Sequence, residues 1–473
     1  MRLEPGRIIG GYTLLAPLHE GGMATLWRVS HPQQSFPLLM KLPHLGYGED
    51  VAKLVGFEVE RMLMPTLGGP HVPRFVASGD DGDQPWLVME HVPGDTLRVL
   101  LDDAPLPVDR VAALGALAAT ALEDLHRQHL VHLDIKPSNL MLHVDAETGA
   151  ERIVLIDFGL SHHAQLPDLL AEQFRIPLGT APYISPEQVM GVRDDPRSDL
   201  FALGVALYHL ATGQRPFGNP TSQRGLRRRL YQDPAPPRAL APDIPRWFQE
   251  IVLRCLEVDP DARHPSAAQL AFDLAHPEQV PLTERADRAR RDGRIDKAKR
   301  WLRSLGAEST PVEHRPAATA RDAPMVMVAI DTRQQDRDLD AALNDLVQRI
   351  VQTSPGARLA CVTVMRTARV GMDSNLDEAG RNRHVKRLVA MRHWARALRL
   401  PDHRITFHVL ESTDVAEALV AFSRDNGIDH LLMGARGITG MRRILGSVSA
   451  RVVGEADCTV TVVRGARTSK LPA

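Results

Sequence analysis

His132, Asp134, Lys136 and Asn139 fall within eight positions, in the run HLDIKPSNL. Eighteen residues beyond Asn139, the apolar run IVLIDFGL places Asp157 at its end, followed by Phe158 and Gly159. This set suits phosphoryl transfer. That chemistry needs hard oxygen ligands for a divalent cation, a base beside the acceptor hydroxyl, and cations along the phosphates. Asp157 and Asn139 suit Mg²⁺, with Mn²⁺ also compatible, Asp134 suits the base, and Lys136 suits the transferring phosphate. Lys41 ends the run LLMK and Glu60 follows 19 residues later, so the two can pair and orient the α and β phosphates. Any one Asp here would read as a turn residue or helix cap, but the combination does not.

The elements that must position these groups follow from periodicity. From Tyr12 to Val92 short β-like runs dominate (YTLLAPL, ATLWRVS, FPLLMKL, PWLVMEHV), interrupted by one helical stretch, DVAKLVGFEVERMLM. After Gly94 the pattern is mostly helical. VAALGALAATALEDLHRQ has apolar residues at three-and-four spacing, and LFALGVALYHLAT is apolar nearly all round and hence buried. A small β-rich lobe thus precedes a larger helical lobe ending near residue 276. Residues 284–303 carry nine basic and four acidic residues and read as a solvated helical linker, followed by the Pro/Ala/Thr-rich ESTPVEHRPAATARDAP. From Met325 strands and helices alternate over about 140 residues, from MVMVAID to TVTVVRG, which predicts a parallel doubly wound sheet.

Composition limits the classes. A chain of 473 residues is too long for one ordinary core. Its 57 Lys+Arg against 58 Asp+Glu give a net charge of -1, hence no whole-molecule drive toward nucleic acid or anionic membrane. Cys255, Cys361 and Cys458 lie about a hundred residues apart, which excludes a disulfide framework and fits a reducing compartment. No apolar run approaches the roughly 20 residues of a membrane span, so a cytoplasmic location is expected. Only seven basic residues are lysines (Lys41, Lys53, Lys136, Lys297, Lys299, Lys386, Lys470), and two of the first three fall where phosphate would be gripped.

Together these motifs resemble a eukaryotic-type Ser/Thr protein kinase of the bacterial branch. The match runs from residue 12 to about 276: Lys41, Glu60, HLDIKPSN, the DFG at 157–159, GTAPYISPE at 179–187, DLFALG at 199–204 and DPDARHP at 259–265. The resemblance implies a two-lobed α+β kinase fold over residues 8–276, ATP with Mg²⁺, and protein substrates. It implies that Gly21 and Gly22 cover the phosphates, and that Glu90 to Val92 form the adenine hinge beside Met89. Glu187 should pair with Arg263, and Asp199 should hold the backbone of the catalytic loop. Lys136 with Thr180 favours Ser/Thr acceptors.

Three departures stand out. His19 occupies the first position of the glycine-rich loop HEGGMA. Leu133 replaces the Arg that in this family receives an activation-loop phosphate. The segment from Leu160 to Ile184 offers only Ser161 and Thr180 as serine or threonine acceptors. The last two predict activity without loop phosphorylation. The adjacent His162 and His163 are read as solvated loop residues and given no role.

Near the C-terminus, MGARGITGMRRILGSVSARVV follows a strand and opens a helix. Gly434, Gly437, Gly446 and Ser447 offer bare backbone N–H groups beside a helix N-terminus, with Arg436, Arg442 and Arg443 adding positive charge. Asp331, at the end of the first strand, can reach a ribose hydroxyl or a metal. The region resembles the universal stress protein family and is taken as residues 324–467, after a linker at 277–323. ATP-binding members have nine residues where this chain has eight, between Gly437 and Gly446. Two readings therefore stand, a nucleotide-binding domain and a non-binding dimerisation domain, with a homodimer through the final strand. For the whole chain, an active kinase regulated by this domain competes with a pseudokinase scaffold acting as a nucleotide sensor, for which His19 is the only support.

Overall fold

The computed structural model describes residues 3–44, 51–81, 84–166, 168–174, 177–289, 324–333, 336–354, 356–366, 383–398, 400, 404–435 and 446–464. These form two compact units, one holding most of the first 289 residues and the other residues 324–464.

The first unit opens with a sheet of β1 (Ile8–Ile9), β2 (Tyr12–Glu20), β3 (Ala24–Ser30), β4 (Leu38–Pro43), β5 (Phe75–Asp81) and β6 (Gln84–Glu90), in the order β1-β2-β3-β4-β6-β5. Alternation decides its faces. Trp27 and Val29 are buried while Arg28 and Ser30 face solvent, and the buried set joins Ile9, Leu14, Met40 and Val88 in one cluster. Strands β1 and β5 are the elements of this sheet that the sequence did not announce; β1 has two residues, and FVASGDD of β5 is half-exposed throughout and shows no alternation. Helix α1 (Val51–Leu63) lies between β4 and β5 in the chain and carries Glu60.

Helix α2 (Val108–Arg127) buries Val111, Leu114, Ala118, Leu122 and Leu125, the three-and-four stripe read from the sequence. Short strands flank it: β7 (Asp95–Thr96) before it, then β8 (Leu130–Val131), β9 (Leu140–Val144), β10 (Glu151–Leu155) and β11 (His162–His163) after it. β11 pairs with β8, so the two histidines form a strand rather than a free loop, and His163 is buried. The short helices α3 (Leu169–Gln173) and α4 (Pro186–Val189) lead to α5 (Arg197–Thr212), which is buried at nearly every position and stops at Gly213 in the left-handed region. Then come α6 (Gln223–Arg227), α7 (Pro237–Leu240), α8 (Arg246–Cys255), α9 (Ala267–Ala275) and α10 (Glu284–Asp287).

The span read as a solvated linker begins differently. Arg285 contacts Glu250 of α8 at 3.2 Å and Glu257 at 2.7 Å, Thr283 donates to Glu250, and Ala286 is fully buried. Residues 283–288 are thus held on α8 by ion pairs, which helical charge spacing alone does not disclose. Residues 290–323 lie outside the described residues.

In the second unit β12 (Met325–Ala329), β13 (Arg358–Arg366), β14 (Ile405–Ser412), β15 (His430–Gly434) and β16 (Thr459–Val463) form a parallel sheet in the order β14-β13-β12-β15-β16. Its faces are cleanly divided. Val326 and Val328 pack with α11 (Arg337–Thr353) and α12 (Arg383–Ala395), while Met325 and Met327 pack with α13 (Val415–Asp425) and α14 (Ser447–Glu455). A sheet covered on both faces needs continuous apolar strands, which is how these read in the sequence. This is the doubly wound fold expected.

Candidate active site

Strand β4 presents Lys41, and its ammonium bridges two carboxylates: Glu60 of α1 at 2.5 Å and Asp157 at 3.0 Å. Lys41 and Glu60 are buried, while Asp157 stays partly open. Burial opposes the charge of Lys41, but Asp157 and Glu60 more than reverse that and raise its pKa. Burial likewise opposes ionisation of Asp157. The Lys41 charge and hydrogen bond, helped by Lys136 and His132, hold it below the usual carboxylate range. Asp157 has φ +68, a conformation rare for non-glycine residues and typical of functional sites. Its neighbour Phe158 is 1% exposed and lies against His132, so the aspartate turns to Lys41 and the phenyl ring enters the core. Gly159 packs on the backbone of Gly56 in α1, where a Cβ on Gly56 would meet the Gly159 carbonyl at 3.0 Å.

Asp134 is held by four donors. Its Oδ1 accepts from the Thr180 hydroxyl (2.7 Å) and the Thr180 N–H (3.1 Å); its Oδ2 accepts from Lys136 (2.6 Å) and Asn139 Nδ2 (3.1 Å). Lys136 also donates to Thr180 Oγ1 at 2.9 Å. Asn139 Nδ2 donates to the Asp134 carbonyl as well, leaving its Oδ1 as the side-chain atom open to a cation. Beneath this loop, Asp199 of α5 accepts from the N–H groups of His132 (2.9 Å) and Leu133 (2.8 Å) and contacts His126. Leu133, at φ +63 and buried, gives its carbonyl to Gln188 Nε2 at 2.8 Å. Glu187 and Arg263 form a buried two-pronged pair at 2.6 and 2.8 Å. The expected pairs of Asp199 and Glu187 are therefore present.

The loop tip at Gly21 and Gly22 is compact, with Gly21 N–H donating to the Ala24 carbonyl at 3.0 Å. His19 lies within β2, exposed and opposite Leu26. Among the described non-glycine residues only His129, Leu133 and Asp157 have positive φ, so the backbone at His19 does not require glycine. At the hinge, the Glu90 N–H donates to the Arg74 carbonyl, whereas Val92, beside the buried Met89, makes no backbone hydrogen bond among the described residues.

In the second unit, β12 and β15 are adjacent and the chain turns opposite ways from them, a topological switch point. The register Ala329↔Met433 puts Asp331 and Ala435 at the same edge of that crevice. Asp331 is exposed and accepts from the Arg333 N–H at 2.9 Å. Gly434 proves to be a strand residue. A Cβ there would come within 2.6 Å of Leu339, so glycine lets α11 seat against β15. Gly446 caps α14 and Ser447 begins it, both facing open space or solvent. Gly437, Arg436, Arg442 and Arg443 lie outside the described residues.

The family model of the protein kinase domain matches residues 21–273, and that of the universal stress protein family matches residues 325–464. The chain belongs to the protein kinase family. Its kinase domain is of the serine/threonine class, and a universal stress protein domain follows it. It is 32% identical over 279 residues to serine/threonine-protein kinase pkn2 of Myxococcus xanthus, covering 58% of this chain and 33% of that one. It is also 32% identical over 289 residues to PknL of Mycobacterium tuberculosis, covering 60% and 69%. The chain thus spans a third of pkn2 and about two thirds of PknL. The solved kinase domain of Mycobacterium tuberculosis PknI aligns at 24% identity with a TM-score of 0.46, over 58% of this chain and 100% of that domain.

Sequence reading missed two groups in the kinase domain. Asp168 and Arg193 form a buried ion pair at 2.6 Å, and Arg193 also donates to the Leu160 carbonyl at 2.9 Å. Arg229 is 1% exposed and donates to the carbonyls of Ala181 and Ile184. Neither lies in a periodic pattern, because each joins segments far apart in the chain. Asp168 alone stood out, as a single charge in the apolar run LPDLLA, whereas Arg193 and Arg229 sit among other charged residues and carry no such signal.

Proposed function

We propose that this kinase transfers the γ-phosphate of ATP to serine and threonine hydroxyls of protein substrates, and that it does so without phosphorylation of its activation segment. The observation that carries this is Lys41 bridging Glu60 and Asp157 while Phe158 is buried. That closed triad aligns the groups a phosphoryl transfer needs before any ligand arrives. Gly21 and Gly22 would lie over the phosphates, and Val92 and Glu90 would offer backbone groups to the adenine edge. Asp157, kept ionised, and Asn139 Oδ1 are hard donors that fit Mg²⁺, which when bound supplies neutralising charge along the phosphates. Asp134 Oδ accepts the proton of the acceptor hydroxyl, and Lys136 steadies that carboxylate and meets the transferring group. Thr180, bonded to both, ties the substrate-facing segment to this base.

Phosphorylation independence is supported by Leu133 and by the Asp168–Arg193 pair, which anchors the segment with a resident carboxylate. The scaffold reading rested on His19, and the placement of His19 in an exposed strand position weakens it. Labelled ATP with Mg²⁺, wild type beside Asp157→Ala, separates the two. Incorporation in the wild type alone supports the enzyme; incorporation in both or in neither refutes it.

For the C-terminal domain we propose nucleotide binding at the switch-point edge, where Asp331 follows β12 and the segment leading to α14 follows the adjacent β15, and a homodimer through β16, the edge strand of the sheet among the described residues. Its state would set kinase rate. Deleting residues 324–473 should change rate and oligomeric mass; no change in either would refute the coupling. A cytoplasmic location is part of this reading, supported by three free cysteines. Among the described residues no helix is long and apolar enough to cross a membrane.

A further inference from the structure

We infer that the protein substrates of this kinase carry acidic residues close to the phosphorylated serine or threonine, read by an arginine face beside the activation segment. The inference rests on the kinase reading above and deepens it by naming a substrate class. Between Asp199 and Asp233 the chain has no carboxylate, yet it has Arg215, Arg224, Arg227, Arg228 and Arg229.

These arginines divide into one that builds and several that face outward. Arg229 is buried, lies 5.5 Å from the Phe217 ring centre, and donates to the Ala181 and Ile184 carbonyls. It fixes the segment that starts at Thr180, whose hydroxyl sits 2.7 Å from Asp134. Tyr183 belongs to the same segment. Arg215 and Arg98 are both close enough to its hydroxyl to act on it electrostatically. Arg215, Arg224, Arg227 and Arg228 are exposed, the last three on or just after α6, which packs against α4. Among the described residues no carboxylate pairs with any of these four or with Arg98.

A group of like charges without counter-ions is self-repelling until an anion arrives, and it raises the local concentration of ligands of opposite sign. The guanidinium fork matches a carboxylate with two parallel hydrogen bonds. The position selects the partner. These cations flank the segment bonded to the base Asp134, so the chain they meet is the one that delivers the acceptor hydroxyl. A basic peptide would be repelled at the same place.

The test uses the full chain with serine and threonine peptides flanked by Asp/Glu, by neutral residues or by Arg/Lys. ATP turnover is followed in parallel. Acidic peptides should show a KM about tenfold or more below that of basic ones, with the gap closing in about 0.5 M salt. R215E, and the triple variant R224E/R227E/R228E, should reverse the preference through peptide KM while the KM for ATP holds. If ATP turns over and peptides are phosphorylated without regard to charge, this inference is wrong and the kinase reading survives. If no peptide is phosphorylated at all, both fail. If the variants instead abolish binding to RNA or to anionic vesicles and leave peptide KM unmoved, the arginine face serves another partner and the inference is overturned.

Discussion

Asp168 and Arg193 meet at 2.6 Å with about a tenth of each side chain exposed, and the same guanidinium holds the Leu160 carbonyl just after Gly159. One arginine beyond α4 thereby ties together the start and the middle of the activation segment. The phosphate that many relatives of this fold place there has no cation waiting at Leu133.

Breaking this pair should therefore act on catalysis. Removing one partner of a buried pair costs roughly 3 kcal/mol of local order, so Asp168→Asn or Arg193→Met should lower kcat by about tenfold or more. The KM for ATP should stay nearly constant, because Lys41, Gly21 and Val92 are untouched. The swap Asp168→Arg with Arg193→Asp should recover part of kcat. Burial alone would raise the Asp168 carboxyl, and Arg193, with His162, carries it below the ordinary range. The pair is thus intact above the ordinary carboxylate pKa and fails only as pH falls through a lower value, so it should contribute no pH dependence near neutrality. Initial rates of the three variants check this.

Ser161 should be dispensable. Its hydroxyl is 3% exposed and donates to the His132 carbonyl at 3.1 Å, so it is a structural hydrogen bond rather than an accessible acceptor. Ser161→Ala should lose about 1 kcal/mol of stability and keep activity within a few-fold. Undetectable activity in that variant would sink the idea of phosphorylation independence.

The Glu187–Arg263 pair has the opposite character. Both side chains are at most 3% exposed and Arg263 also donates to the Glu257, Val258 and Arg197 carbonyls. Glu187→Gln should cost roughly 3 kcal/mol, several degrees in Tm, measured by calorimetry. Losing activity without losing stability would contradict a bracing role.

A pH effect is expected in the stress-protein domain. His384 is 3% exposed, and burial pushes its pKa down to about 4. It is neutral when folded and titrates near 6.5 when unfolded. The domain should hold full stability above pH 6.5 and lose up to about 3 kcal/mol as pH falls toward 4. Hydrogen exchange of the β12 and β13 amides in the full chain should accelerate over that window, and His384→Leu should flatten the response.

The chemistry was legible where it is encoded in short spacing. Lys41, Glu60, Asp134, Lys136, Asn139 and Asp157 were read from sequence, and the structure bonds Lys41 to Glu60 and Asp157, and Asp134 to Lys136 and Asn139, with Lys136 near enough to act on Asp157. The doubly wound domain was legible because Val326 and Met327 alternate between two apolar faces. What escaped has a common cause. Asp168–Arg193, Gln188 with the Leu133 carbonyl, Arg229 with Ala181, and the docking of Arg285 on Glu250 join segments 25 to 55 residues apart in the chain, with no period to reveal them. Gly434 has a packing reason as well, since a glycine needed for packing against Leu339 looks the same in sequence as one needed for phosphate.

The central claim is that the closed Lys41–Glu60–Asp157 arrangement is competent as synthesised. The most direct measurement is the progress curve of phosphate transfer to a protein substrate by phosphatase-treated full-length chain, started with ATP and Mg²⁺. Transfer that is linear from the first turnovers, and absent in Asp157→Ala, is the predicted result. A lag that shortens with prior autophosphorylation, or transfer surviving in Asp157→Ala, would contradict it.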